Sequence, residues 1–182
     1  TPMIWRGPMV TQALEQLLSD TNWQDVDFLI IDLPPGTGDV QLTLCQKIPL
    51  SGAVIVTTPQ DISLIDARKG LKMFEKVEVP VLGVVENMST FICPKCGTTE
   101  SIFGEGGGEQ LATENDVKLL GELPLQKSIR EEMDKGTPTV SENPESPTSM
   151  AYREIARKMA ATLSMRKKDY SSAFPKIVIQ ND

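Results

Sequence analysis

The hydrophobic positions of this chain form two kinds of pattern, short unbroken apolar runs and longer runs with helical spacing. Short apolar runs predict strands at residues 28–31, 53–57, 81–86 and 117–120, and the first two of these are expected to be buried. Helical spacing predicts helices over residues 9–19, 40–47, 61–77, 109–114, 125–135 and 148–166. This alternation predicts a doubly wound α/β domain with a mainly parallel sheet.

Residues 88–108 interrupt the alternation with a long insertion where a short strand-to-helix loop is expected. The insertion contains a C-x-x-C pair and a glycine run, Cys93-Pro94-Lys95-Cys96-Gly97 and Gly104-Glu105-Gly106-Gly107-Gly108. We expect a loop at residues 137–147, which are rich in Pro, Ser and Asn, and an edge strand at residues 174–179. We expect one domain over residues 1–166, entered part-way at Thr1, and a C-terminal tail over residues 167–182.

Asp32 follows the first predicted strand and precedes a loop, Leu33-Pro34-Pro35-Gly36-Thr37-Gly38-Asp39, that is too rich in Pro and Gly for a helix or strand. Open α/β sheets bind ligands at the carboxyl ends of their strands. A carboxylate at that position can hold Mg²⁺ in a phosphate site, as a Walker-B Asp does. The alternative is a strand cap followed by a tight turn.

Two other predicted strands also end in polar residues, at residues 57–60 and at Asn87. The side-chain amide of Asn87 can pair with a purine edge through its donor and acceptor together, although Asn is also a common turn residue. Ser63 and Asp66 have the spacing of a capping box, which makes Asp66 a cap rather than a ligand. Together with Asp32, these strand ends favour a nucleotide site.

The sequence has no G-x-x-x-x-G-K-[ST] motif for the phosphates. The glycine run of the insertion cannot replace it, because the run has no Lys and its neighbours Glu105 and Glu109 would repel phosphate. We therefore expect that the phosphate-binding loop is absent from this polypeptide or lies before Thr1.

The chain has no His and only three Cys, so a transition-metal site must use thiolates. Cys93 and Cys96 can direct two thiolates at one ion from a single turn, whereas tetrahedral zinc or an iron–sulfur cluster takes four ligands. A twofold dimer that pools two such pairs completes the set economically. Cys45 lies in a predicted helix and is expected to be a small buried hydrophobe. A structural metal and a functional metal remain equally open, and thioredoxin-like redox chemistry is disfavoured because the pair opens no helix.

The net charge of −7 and the lack of a basic cluster argue against nucleic acid and anionic membranes as partners. No apolar run is long enough to span a bilayer. The cysteine content suits a reducing compartment, and we expect a cytoplasmic protein.

The motifs in their order resemble those of the Mrp/ApbC-type iron–sulfur cluster carrier ATPases, relatives of MinD and of the nitrogenase iron protein. The resemblance extends from Thr1 to about Ala160 and is carried by Trp5-Arg6-Gly7-Pro8, the loop after Asp32, Thr58-Pro59-Gln60, Asn87-Met88-Ser89, the C-x-x-C pair and Phe103-Gly104-Glu105-Gly106-Gly107-Gly108. It implies a P-loop NTPase fold, truncated at its N-terminus, and a homodimer that carries a labile [4Fe–4S] cluster to apo-proteins.

The resemblance also implies roles for individual residues. Asp32 resembles the Walker-B acid near Mg²⁺, and Gly36 the residue whose backbone senses the γ-phosphate of ATP. Asn87 resembles the adenine-binding residue, and Arg6 lies in a loop near the nucleotide and the dimer face. Cys93 and Cys96 resemble the bridging cluster ligands.

Two other functions stay open beside the carrier. One is a MinD-like regulatory or scaffold ATPase with structural zinc at Cys93 and Cys96. The other is a binding module without enzymatic activity. For the carrier, we expect ATP hydrolysis by the intact protein and none by this chain alone.

Overall fold

The computed structural model describes residues 7–33, 36 and 38–166. Arg6, the loop positions 34, 35 and 37, and the tail with its predicted strand at residues 174–179 lie outside the described residues. No helix in the described part is both long and apolar enough to cross a membrane.

The described elements follow the predicted order. The helices are α1 (Gly7–Asp20), α2 (Asp39–Lys47), α3 (Asp61–Lys76), α4 (Gly107–Glu114), α5 (Lys127–Asp134), α6 (Thr139–Glu142) and α7 (Pro147–Ser164). The strands are β1 (Ala53–Thr57), β2 (Val81–Ile92), β3 (Thr99–Glu100) and β4 (Leu119–Leu125). The six predicted helices are therefore confirmed to within two residues at nearly every end.

Strand β2 is the centre of the sheet. It runs parallel to β1, with Thr57 opposite Glu86, and parallel to β4, with Asn87 opposite Leu123. Beyond these pairings, its last residues pair antiparallel with β3, and Phe91 faces Glu100. The prediction of a mainly parallel sheet is confirmed.

Helices cover both faces of this sheet. Neighbouring residues of β2 point to opposite sides, so that Val84 joins a cluster with Leu71 of α3 and Leu111 of α4, whereas Val85 joins a cluster that packs against Ile155 of α7. Each fully buried aliphatic side chain of this kind contributes roughly 1.5–3 kcal/mol. The doubly wound α/β class is confirmed.

The predicted buried strand at residues 28–31 is wrong for the described chain. These residues form no strand, and Phe28 and Ile30 are 53% and 72% exposed. A buried parallel strand needs neighbours for its backbone hydrogen bonds, and no described strand pairs with this segment. Only Leu33, at its end, packs against the core cluster.

The structure corrects four further details. Strand β2 continues six residues past the predicted end, at Glu86, and β4 begins two residues later than predicted and ends at Leu125. The short helix α6 lies within the predicted loop at residues 137–147. The capping box at Ser63 and Asp66 is wrong, because α3 has Gln60 as its N-cap and Asp66 instead pairs with Lys69.

Candidate functional site

A cleft opens where β1 and β2 reach their carboxyl ends. It has a volume of about 430 Å³ and is lined by residues of the strands, of the turn after β1 and of α3, among them Val54, Val56, Thr57 and Asn87, then Thr58, and Ser63, Asp66 and Gly70. Its size and its mixture of apolar walls with a few polar groups are typical of a small-molecule site. Within the described chain, β1 has β2 as its only partner strand, which leaves Val56 62% exposed along the cleft.

Asn87 enters the cleft at an irregularity in β2. The pairing of β2 with β4 shifts register between Asn87 and Phe91, and Met88 has a positive φ of 55°. The backbone N–H of Met88 donates to Oδ1 of Asn87 at 2.9 Å, so the side chain helps to hold this bulge. The bulge turns the amide toward the cleft, where its remaining donor and acceptor capacity can face a purine edge.

Thr58, Gln60 and Ser63 form a hydrogen-bonded group beside Asn87. The Thr58 hydroxyl donates to the Gln60 amide oxygen and lies 2.7 Å from the Ser63 hydroxyl. Ser63 in turn donates to the same Gln60 oxygen at 3.3 Å. This network fixes the turn between β1 and α3, so the polar strand end predicted at residues 57–60 is an ordered wall of the cleft.

Asp32 and Gly36 lie on the loop before α2. Asp32 is exposed and follows no strand in the structure, whereas the sequence predicted it at the end of a buried strand. Gly36 has a φ of +102°, which only glycine adopts without strain. Buried Gln41 of α2 lies against this loop, since a Cβ at Gly36 would be 3.6 Å from its Nε2.

Cys93 and Cys96 lie at the tip of the β2–β3 hairpin. Cys93 directly follows β2, its N–H donates to the Thr98 carbonyl, and its own carbonyl accepts from Gly97, both at 2.9 Å. Cys93 is half-buried and Cys96 is exposed. The two cysteines therefore lie on a hydrogen-bonded turn at the tip of the hairpin, which is no helix start and so does not resemble a thioredoxin-like site.

The electrostatics of the tip favour the thiolate of Cys96. Hydrogen bonds from the Thr98 hydroxyl and backbone N–H, and from the Cys93 side chain, lower the pKa of Cys96 below its ordinary value of 9.0. Burial instead raises the pKa of the Cys45 thiol, which is 5% exposed in the core as predicted. No group of three or more His, Cys, Asp or Glu side chains among the described residues could hold a metal ion. The pair at the tip therefore supplies two ligands.

The sequence analysis missed Glu86, a buried carboxyl group next to Asn87. It is 1% exposed, and its Oε2 accepts a 2.5 Å hydrogen bond from the N–H of Gly108 at the start of α4. Burial is the main cause that raises its pKa, which the nearby Glu122 also raises and the bond to Gly108 lowers. The available signal was an ionisable residue that directly follows the apolar residues of a predicted strand.

The end of the glycine run of the insertion packs against the turn between β1 and α3 and against β2. A Cβ at Gly107 would lie 2.9 Å from both Leu64 Cδ1 and the Pro59 carbonyl, and a Cβ at Gly108 would lie 2.8 Å from the Cβ of Glu86. Both glycines are buried. The run therefore lets the chain return from the thiol hairpin in close contact with the turn between β1 and α3.

Comparison with known proteins places this geometry in a family context. Residues 1–160 match the family model described as NUBPL iron-transfer P-loop NTPase, of the ParA group. The iron-sulfur cluster carrier protein of Escherichia coli K12 is 61% identical over 161 residues, 88% of this chain and 44% of that protein. The iron-sulfur cluster transfer protein NUBPL of Dictyostelium discoideum is 49% identical over 92% of this chain and 52% of its own length. The chain thus spans about half the length of these relatives.

Solved structures agree on the fold. A nucleotide-binding protein from Archaeoglobus fulgidus in complex with ADP is 37% identical, with a TM-score of 0.66 over 76% of this chain and 56% of its own. The cell division ATPase MinD of Pyrococcus furiosus is 23% identical, with a TM-score of 0.62 over 86% of this chain and 59% of its own. The second likeness concerns the fold alone.

Proposed function

The chain belongs to the NUBPL iron-transfer P-loop NTPase family, and on that premise we propose that it acts in ATP-dependent iron–sulfur cluster transfer. Its cargo is a labile [4Fe–4S] cluster, which it delivers to apo-proteins. The relatives at about 60% identity carry the name iron-sulfur cluster carrier protein, which supports the proposal.

The observation that carries the proposal is the pair of sulfurs at the tip of the β2–β3 hairpin. Cys93 and Cys96 provide two thiolates on an accessible turn, and a [4Fe–4S] cluster takes four. A second copy of the chain, related by a twofold axis, supplies the other two without any new residue type. A cluster shared in this way is exposed to recipients and is released when the two copies separate.

The nucleotide side of the proposal uses the cleft at the carboxyl ends of β1 and β2. Asn87 would contact adenine there, and Asp32 would hold Mg²⁺ directly or through water. The backbone of Gly36 would sense the γ-phosphate, and Arg6 would lie near the nucleotide and the dimer face. In this proposal, ATP orders the loop after Asp32 and thereby biases the dimer that holds the cargo. The expected location is the cytoplasm.

Anaerobic reconstitution of the chain with iron and sulfide tests the carrier function. We expect a brown protein with acid-labile sulfide and about two iron atoms per chain, half of a [4Fe–4S] cluster. Cys93→Ala and Cys96→Ala should abolish the chromophore, whereas Cys45→Ala should keep it. A colourless protein that takes up stoichiometric zinc and no sulfide would favour the regulatory or scaffold ATPase and would contradict cluster transfer.

A further inference from the structure

We propose that Thr98 is a positioning residue of the thiol site, whose hydroxyl binds the Cys96 sulfur and makes Cys96 the first ligand to release the cargo. The inference rests on the proposed function, because it concerns how the same two thiolates let go of a bound metal centre.

The geometry of the turn singles out Thr98. Its Oγ1 lies 3.2 Å from the Sγ of Cys96. When Cys96 is a thiolate or a metal ligand, it has no proton, so the hydroxyl must be the donor. The Thr98 carbonyl accepts from the N–H of Cys93 at 2.9 Å, and this backbone bond holds the hydroxyl beside the turn.

The two cysteines are not equivalent. Cys93 continues directly from β2, is half-buried, and has both backbone groups bonded across the turn. Cys96 is exposed, and the Thr98 hydroxyl hydrogen-bonds its sulfur. One ligand is therefore anchored to the sheet and the other lies open to an incoming group.

A hydrogen bond to a thiolate withdraws charge from sulfur and weakens its donation to a metal. The same bond stabilises the thiolate after it leaves, when sulfur carries its full charge. Release is then a ligand exchange without oxidation or reduction. The metal–sulfur bond to Cys96 breaks, its electron pair stays on sulfur, and an incoming thiolate or chelator donates its own pair to the metal.

Zinc release from the chain tests the inference without a cluster. The dissociation rate of Zn²⁺ into an excess of a chromophoric chelator is compared for the natural chain, Thr98→Ser, Thr98→Val and Thr98→Ala. Removal of one hydrogen bond of ordinary strength should slow release about threefold to tenfold in the Val and Ala variants, while Ser should match the natural chain. The Ser and Ala pair differs by the hydroxyl alone, which controls for disturbance of the hairpin. Equal rates in all four proteins, or faster release without the hydroxyl, would overturn the inference.

A second measurement assigns the effect to Cys96. With Thr98 in place, Cys96→Ser should weaken equilibrium Zn²⁺ affinity less than Cys93→Ser does. When Thr98→Val is combined with each of these substitutions, the difference between them should become smaller. If the difference is the same with and without the hydroxyl, Thr98 does not act through Cys96 and the inference is wrong. Failure of the proposed function gives a different result. The chain would then take up no sulfide on reconstitution, while Zn²⁺ would still dissociate faster from the two proteins with a hydroxyl at position 98 than from the Val and Ala variants.

Discussion

Glu86 is the least expected ionisable residue in the described chain, a buried carboxyl group within the sheet beside Asn87. Its neighbours across the sheet are Thr57 on β1 and Glu122 on β4, so neither neighbouring strand places a positively charged side chain opposite Glu86. Its hydrogen-bond donor is the N–H of Gly108, at the first turn of α4. The carboxyl group therefore ties together the two ends of the insertion that carries the thiols.

The raised pKa of Glu86 predicts how stability depends on pH. Because the folded state holds this proton more tightly than the unfolded state, the contribution to stability is complete below the ordinary pKa of 4.5 and is lost as pH rises through the folded pKa. Glu86→Gln stays neutral, so its free energy of unfolding should fall less over that interval. Urea unfolding of both proteins between pH 4.5 and neutrality measures the two slopes.

Glu122→Gln provides a matched control, because it removes the like charge that also raises the pKa of Glu86. It should move the decline in stability to lower pH without abolishing it. Parallel pH profiles for the natural chain and Glu86→Gln would contradict a titrating Glu86. Glu86→Ala should cost about 1–3 kcal/mol near pH 4.5, since the buried N–H of Gly108 loses its acceptor, and this cost should shrink as pH rises and Glu86 ionises in the natural chain.

At the scale of elements, the start of α4 is a close contact between the insertion and the turn that joins β1 to α3. Gly108→Ala would bring a methyl group within 2.8 Å of Glu86 Cβ, and Gly107→Ala one within 2.9 Å of the Pro59 carbonyl. We expect each to destabilise the chain by about 1–3 kcal/mol, as overpacking does. Thermal and urea unfolding measure the loss.

The same substitution at Gly70 is the control. Gly70 lies inside α3, and an added Cβ would find only Ile55 Cδ1, at 4.0 Å. Gly70→Ala should therefore stabilise the chain by roughly 0.5–1 kcal/mol through helix propensity. If Gly70→Ala also destabilises the chain, the loss at Gly107 and Gly108 does not depend on their close contacts, and the explanation by overpacking is wrong.

Local patterns of hydrophobic residues predicted β1 and the helices. The alternation of apolar runs placed β1 at residues 53–57 and the helices within a few residues. The same rule failed at residues 28–31, because strand formation depends on a pairing partner that the run itself does not encode. It also missed that β2 extends to Ile92, since pairing with β3 and β4 continues past the polar Asn87.

The candidate site shows the same division. The C-x-x-C spacing predicted the thiol turn, because its geometry is local. Glu86 and Gly108 are separated by 22 residues, and only the folded chain reveals their bond. Thr98 is two residues from Cys96, yet its role depends on the hairpin that directs its hydroxyl to sulfur.

At the scale of the whole molecule, we expect weak binding of nucleotide phosphates. Residues 1–182 contain no Lys-bearing glycine loop, and the net charge of −7 opposes polyanions. We expect the chain alone to bind Mg-ATP more weakly than micromolar and to hydrolyse none. In calorimetry, adenosine and Mg-ATP should bind with similar, weak affinity, and Asn87→Ala should weaken both. A micromolar affinity for Mg-ATP that adenosine does not share would contradict this view of the cleft.

Assembly is the last property that the thiol tip predicts. If one metal centre needs four thiolates, binding should saturate at one Zn²⁺ per two chains, and metal should convert monomers to dimers. Sedimentation velocity with titrated Zn²⁺ measures both the ratio of metal to chain and the mass of the assembly.

Cys93→Ala or Cys96→Ala should leave the chain monomeric at every metal concentration, whereas Cys45→Ala, a buried core substitution, should dimerise as the natural chain does. One Zn²⁺ per chain that persists at monomeric concentrations, or loss of metal in Cys45→Ala, would show that the site is completed within a single chain. The hairpin favours the shared site, because both cysteines lie on its turn and no third ligand among the described residues accompanies them.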